Sequence, residues 1–159
     1  LKNFENNIYE TFGMTETVSH IAMKLISKNS AINYFETLNN ITVATDNENR
    51  LTINAPHLQT KPIFTNDVVE IINNKQFNWL GRYDNVVNSG GIKIFPESIE
   101  QKLKPFIPYT FILAGIPEPR LGQQLVLIIE SEEKINTKIT AENINNVLEK
   151  YESPKQIFV

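Results

Sequence analysis

Three short clusters in this chain place hydroxyl or charged side chains where they could do chemistry. The first is Phe12-Gly13-Met14-Thr15-Glu16-Thr17. A threonine hydroxyl can donate to a phosphate oxygen, and a carboxylate is the hard oxygen ligand that Mg²⁺ favours. The second is Phe64-Thr65-Asn66-Asp67, which offers a carboxylate in a polar break. The third runs from Gly81 to Glu100, with Arg82, Asp84 and Lys93 bringing both signs of charge to the turn Asn88-Ser89-Gly90-Gly91. Its two glycines permit positive φ and a close approach of the backbone to something else. Taken singly, each cluster also has a plain reading: a capped turn, a loop, and a β-hairpin with solvated charges.

The elements that must position these clusters follow from apolar periodicity. Ile21, Met23 and Leu25 alternate, as do Ile41 with Val43 and Leu51 with Ile53, and a period of two predicts strands. Polar turns at Asp46-Asn47-Glu48-Asn49 and Asn73-Asn74-Lys75 separate the runs, the second lying between Val68–Ile72 and Phe77–Leu80. The first half therefore reads as a small sheet or barrel. After Gly81 the texture changes. Pro96 suits a helix start, Ile99 and Leu103 share a face, and Pro105 closes the segment. Phe111–Ile116 and Leu125–Ile129 are almost continuously apolar, as strands covered on both faces would be. Thr140 can cap a second helix with Ile144, Val147, Leu148 and Tyr151 on one stripe, ended before Pro154. The fold class predicted is α+β, with a boundary near Gly81–Asp84.

Composition narrows the partners. The chain has 159 residues and a net charge of −3, so it carries no basic footprint for nucleic acid. No apolar run approaches the ~20 residues of a membrane span, and the first residues do not resemble a signal peptide. The absence of cysteine removes disulfides, thiolate metal sites and a cysteine nucleophile. A cytoplasmic location is the default expectation, and the sequence says nothing about oligomeric state.

In order and spacing, Gly81-Arg82, Asp84, Asn88, Gly91, Lys93, Pro96 and Ile99-Glu100 resemble the hinge motif of the adenylate-forming superfamily, which includes acyl-CoA synthetases and adenylation domains. Ser98 stands where that pattern has glutamate. The first cluster resembles the family's aromatic-Gly-x-Thr-Glu segment, and Thr65-Asn66-Asp67 resembles its Thr-Gly-Asp. Asn66 replaces glycine there, and asparagine tolerates left-handed backbone angles, so a turn is expected to survive. Gly115-Ile116-Pro117-Glu118-Pro119 with Gly122, and Tyr151-Glu152-Ser153-Pro154-Lys155, extend the resemblance over nearly the whole chain.

The resemblance implies roles. Gly13 and Thr15 would meet the nucleotide phosphates and Glu16 would ligate Mg²⁺. Asp67 and Arg82 would bind the ribose of ATP or AMP, and Asp84 would be a hinge. Lys93 would lie near the adenylate phosphate, and Gly90 and Gly91 would let the turn pass the pantetheine of coenzyme A. Residues 1–81 would be the β-rich end of the large nucleotide-binding domain. Residues 82–159 would be a small α+β lid, a short sheet with two or three helices. The phosphate-binding loop and the lid's catalytic lysine are expected outside the chain, which by itself should be inactive.

Within the superfamily, Thr15–Ala22, the Thr65-Asn66-Asp67 form and Leu80–Ile94 are most similar to o-succinylbenzoate–CoA ligases of menaquinone biosynthesis. The implied partners are ATP, CoA and an aromatic dicarboxylic acid. Ser19, His20 and Asn88 would be pocket residues, although His20 reads equally well as a hydrogen-bonded histidine, and His57 reads as a loop residue. Another acyl- or aryl-CoA synthetase and a non-catalytic nucleotide-binding module remain open alternatives.

Overall fold

The computed structural model describes residues 6–27, 33–58, 60–132, 135, 144 and 146–159. The chain divides into two compact units, Leu1–Leu80 and Gly81–Val159. The architecture is α+β and rich in sheet.

The first unit is built on a seven-stranded sheet. Its strands are β1 (Tyr9–Gly13), β2 (His20–Leu25), β3 (Phe35–Thr37), β4 (Thr42–Thr45), β5 (Arg50–Asn54), β6 (Ile63–Asn73) and β7 (Gln76–Arg82). They lie in the order β1-β2-β3-β7-β6-β5-β4, and the last two residues of β7 already belong to the second unit. The expected alternation holds in β4 and β5, where Val43, Leu51 and Ile53 point into the core while Ala44 and Thr52 do not. In β2 it is weaker, because Ala22 is buried beside Ile21 and Met23 is only half-buried. Phe12, Phe35 and Phe77 form a ring cluster with centroids 5.3–5.6 Å apart, edge-on, tilted and stacked. Phe77 and Phe35 are buried at its heart with Ile21, Ile41 and Ile63.

The polar cluster Asp46–Asn49 makes the β4–β5 turn, as expected. The Asp46 carboxylate accepts from the backbone N–H groups of Glu48 and Arg50 and from the Arg50 guanidinium, at 2.7–2.9 Å. Burial works to raise this carboxyl, but the bonds from the Arg50 backbone and side chain and from Glu48, with the Arg50 charge, outweigh it. The group sits below its ordinary value of 3.8.

The second unit has a five-stranded sheet and, among the described residues, one α-helix. The strands are β8 (Val87–Ser89), β9 (Ile92–Ile94), β10 (Thr110–Glu118), β11 (Gly122–Glu130) and β12 (Gln156–Phe158), and the helix α1 is Pro96–Leu103. The order is β10-β11-β8-β9, with β12 parallel to β11 on its other part. Pro96 does open α1, whose missing N–H costs nothing in the first turn, and Ile99 and Leu103 are buried as expected. They pack with Leu113, Leu125, Leu127, Ile129 and Ile144 in a core separate from that of the first unit.

Two expectations about this unit need correction. The apolar runs in β10 and β11 are not covered on both faces: Ile112 is 53% exposed and Ile128 is 38% exposed. Helix α1 and the following turns shield one face, and little apart from Val126 is buried on the other. The helix expected from Thr140 falls largely on residues outside the described set. Ile144 and Leu148 are buried, but Tyr151 is exposed, because the chain has left the helical path and runs through turns by then. The apolar end of the chain forms β12, a strand the sequence does not single out, paired in parallel with β11. Among the described residues no helix is long and apolar enough to cross a membrane.

Candidate functional site

In the first unit the Thr-Glu cluster sits on a 3-10 turn, Thr15–Thr17, between β1 and β2. Two residues hold it. A Cβ on Gly13 would lie 2.6 Å from His20 Cα and 2.7 Å from Ser19 O, so only a hydrogen fits where the strands close. Thr17 is buried, and its Oγ1 accepts from the Met14 N–H at 3.0 Å while facing the carbonyls of Met14 and Ser19 at 2.9 and 2.8 Å. Thr17 is therefore the anchor, and it turns Thr15 and Glu16 outward into solvent. The sequence reading passed over Thr17; its signal was the Thr-x-Thr spacing, in which one hydroxyl can face in while the other faces out. Val18, next in line, has φ 62° and is 84% exposed. A β-branched residue in that region is strained, and such strain gathers at functional turns.

Ser19 Oγ and His20 Nδ1 are 3.2 Å apart. Both line an open cleft of about 480 Å³ with Thr17, Asn39 and, unexpectedly, His57. The loop histidine is thus brought to the same cleft as His20, a proximity of residues 37 positions apart that only folding reveals.

Asp67 lies on β6, three strands from β2 in the sheet order, so the Thr15-Glu16 turn and the Thr65–Asp67 segment are not adjacent in the sheet. The turn expected at Thr65-Asn66-Asp67 is instead a bulge within a continuous strand. Arg50 pairs with Val68 and Thr52 with Phe64, so four steps on β6 oppose two on β5. Asn66 has no positive φ, which corrects the left-handed expectation: the bulge supplies the bend without it. Thr65 Oγ1 accepts from the Asp67 N–H at 3.1 Å and donates to Leu51 O at 3.0 Å. The buried Asp67 carboxylate accepts from the Trp79 indole at 2.9 Å. Trp79 was missed because its partner is fixed across strands, not along the chain.

In the second unit Tyr83–Asn85 form a 3-10 turn directly after β7. Arg82 and Asp84 make a loose ion pair at 3.8 Å, and both are well exposed. The β8–β9 hairpin follows, with Gly90 at φ 60° and Gly91 at φ 85°, the left-handed pair of a two-residue turn. Asn88 and Lys93 are directly opposed across it, and the Asn88 N–H donates to Gln123 Oε1 at 2.8 Å. Lys93 is exposed. A Cβ on Gly91 would meet nothing within 4 Å, so its φ alone demands glycine, and the backbone there is open to approach. Glu118 closes the β10–β11 turn by accepting from the N–H groups of Arg120 and Leu121 at 2.9 and 2.6 Å.

Among the described residues no group of three or more histidine or acidic side chains could hold a metal ion. Glu16 alone, exposed on its turn, fits only a metal that takes most of its ligands from phosphate oxygens and water, which is the habit of Mg²⁺.

No family model matches the chain. Over 67 residues, 41% of the chain, it is 34% identical to a medium/long-chain-fatty-acid–CoA/3-oxocholest-4-en-26-oate–CoA ligase of Mycobacterium tuberculosis. The match spans 12% of that relative's length. A crystal structure of an acyl-CoA synthetase (AMP-forming)/AMP-acid ligase II-like protein from Dyadobacter fermentans is 34% identical, with a TM-score of 0.53, covering 99% of this chain and 46% of that one. The o-succinylbenzoate coenzyme A synthetase of Bacillus subtilis, solved with ATP and magnesium, superimposes with a TM-score of 0.80 over 96% of this chain and 38% of its own, at 16% identity. That last likeness is one of fold alone. Across nearly its whole length, then, the chain is similar in sequence and fold to AMP-forming acyl-CoA ligases, while spanning less than half the length of each.

Proposed function

We propose that this chain is the carboxyl-terminal portion of an ATP-dependent acid–CoA ligase. Residues 1–81 would close the large adenylating domain and residues 82–159 would be its lid. The observation that carries this reading is the 34% identity to an AMP-forming acyl-CoA synthetase-like protein over 99% of the chain. The outward Thr15-Glu16 turn, the Asp67 carboxylate and the open Gly90-Gly91 backbone fit the same reading.

On it, a carboxylate of the acid attacks the α-phosphate of ATP, and diphosphate leaves with the acid joined to AMP. The thiol of CoA then displaces AMP to give the thioester. Thr15 donates its hydroxyl to a phosphate oxygen, and the Gly13 backbone keeps the turn tight beneath it. Glu16 would be a ligand of magnesium, which when bound would offset phosphate charge. Trp79 fixes the Asp67 carboxylate, whose several lone pairs suit the ribose hydroxyls, and Arg82 supports the same sugar. Lys93 offsets charge on the adenylate phosphate. Rotation about Asp84 would let one site serve both steps in sequence, with Gly90 and Gly91 beside the pantetheine. The setting that suits these substrates is the cytoplasm.

For the acid we propose 2-succinylbenzoate, giving 2-succinylbenzoyl-CoA in menaquinone biosynthesis. Ser19, His20 and His57 in one cleft suit the second carboxylate of an aromatic dicarboxylic acid, with Asn88 as a further pocket residue. The second reading, a fatty-acid ligase, is favoured by the fatty-acid–CoA ligase activity of the mycobacterial relative. Offering the parent protein a panel of acids with ATP and CoA, and following diphosphate release, separates them. A rate at least about tenfold higher with 2-succinylbenzoate than with fatty acids supports the first, about 1.4 kcal/mol of discrimination. The reverse order supports the second, and no turnover with any acid favours a non-catalytic module. The 159-residue chain alone is expected to form no adenylate.

A further inference from the structure

We propose that Glu97 is a latch that brackets the hinge turn and sets how readily that turn changes conformation. The side chain rises from the first turn of α1 and reaches back to the segment that precedes the hairpin. Its Oε1 accepts from the Arg82 N–H at 3.3 Å and from Asn85 Nδ2 at 2.6 Å. These donors stand on opposite sides of Asp84, so one carboxylate oxygen spans the turn. The other oxygen, Oε2, is buried and has no hydrogen-bond partner among the described residues. It occupies the place where a Cβ on Gly81 would fall, and Gly81 has φ 154°.

An acidic group is not placed against backbone at such a cost without a compensating role, because an unpaired buried carboxylate oxygen opposes folding. The neighbouring acid provides a contrast. Glu100, one turn further along α1, accepts from the Leu113 N–H at 2.8 Å and so ties the helix to the sheet. Glu97 ties the helix to no strand interior. It joins α1 to the residue before the 3-10 turn and to the last residue within it. A change in the backbone angles of Tyr83 or Asp84 moves Arg82 and Asn85 relative to each other, so the two bonds cannot both survive it. The latch therefore favours the turn as it stands and must open for the turn to swing.

As a positioning residue for lid rotation, Glu97 rests on the ligase reading given above; as a local restraint it does not. Two measurements keep those apart. Amide hydrogen exchange on the 159-residue chain is read first, with Leu113 as an internal control. Glu97→Ala is expected to speed exchange at the Arg82 amide by about tenfold, the scale of one hydrogen bond to a charged group, and to leave Leu113 unchanged. Glu97→Gln, which keeps an oxygen acceptor, is expected to restore most of the protection. No change at Arg82, or an equal rise at Arg82 and Leu113, overturns the latch. Second, in the parent protein the adenylation and thioester-forming half-reactions are timed separately. Glu97→Ala is expected to change their ratio by about fivefold or more, with Glu97→Gln near wild type, because a bias on the hinge weighs unequally on two lid positions. Equal changes in both rates overturn the hinge role. A parent protein that shows no half-reaction overturns the ligase reading and its hinge role, while the exchange result still decides the latch.

Discussion

At the scale of single residues, the side chains that hold the candidate site are as informative as those that would touch a ligand. Gly13 is an example. Its missing Cβ is demanded by the backbone of Ser19 and His20, and backbone cannot move aside as a flexible side chain can. Gly13→Ala is expected to cost about 2 kcal/mol or more, at the upper end of overpacking penalties, read as a lower urea midpoint. Asp46 gives a prediction in pH. Its folded pKa lies below the unfolded value of 3.8, so its contribution is present above 3.8 and is lost as pH falls through the folded value. Acid titration of stability should therefore show a steeper loss below pH 3.8 in the wild-type chain than in Asp46→Asn.

The residue types at Thr15, Glu16, Asp67, Arg82 and Lys93 were legible as chemistry from sequence. Their supports were not, because Thr17, Trp79 and Glu97 act through orientation and through partners on other elements.

At the scale of elements, the β8–β9 hairpin shows why local sequence can be trusted in some places. Two consecutive glycines between short apolar runs specify a two-residue turn with positive φ at both positions, and that turn forms. Gly91 is the cleaner test, since space is open around it and only its φ of 85° is demanding. Gly91→Val is expected to destabilise by about 1–2 kcal/mol, and Gly91→Asn by clearly less, by thermal unfolding. Equal losses for both would mean that something other than φ sets the preference. The apolar runs of β10 and β11 show the opposite case. Their continuity suggested cover on both faces, yet Ile112 and Ile128 remain exposed, because apolar content does not say which neighbours are available to cover it. The bulge at Thr65–Asp67 likewise resembles a turn in sequence. A polar break inside a strand and a polar break between strands look alike until the partner strand fixes the register.

At the scale of the molecule, two separate cores imply two separable sensitivities. Phe77 sits in the ring cluster of the first unit, and Leu127 lies wholly buried in the core of the second. Phe77→Ala and Leu127→Ala should each cost about 3–5 and 2–5 kcal/mol respectively. Limited proteolysis is expected to begin within residues 1–80 for the first and within residues 81–159 for the second. Cleavage that starts at the same sites in both variants would show the units to unfold as one.

What the sequence determined by itself was the chemistry on offer: which clusters carry hydroxyl, carboxylate and cationic side chains, where the texture changes, and where glycine must turn the chain. Those properties are local, set by residue type and by spacing within a few positions. What only the tertiary structure decided was which groups hold which. His57 joins His20 in a cleft, Trp79 grips Asp67 across strands, and Glu97 reaches back over Asp84 from the next helix. Such pairings depend on strand order, register and the direction a helix takes, and these are fixed by packing of the whole chain.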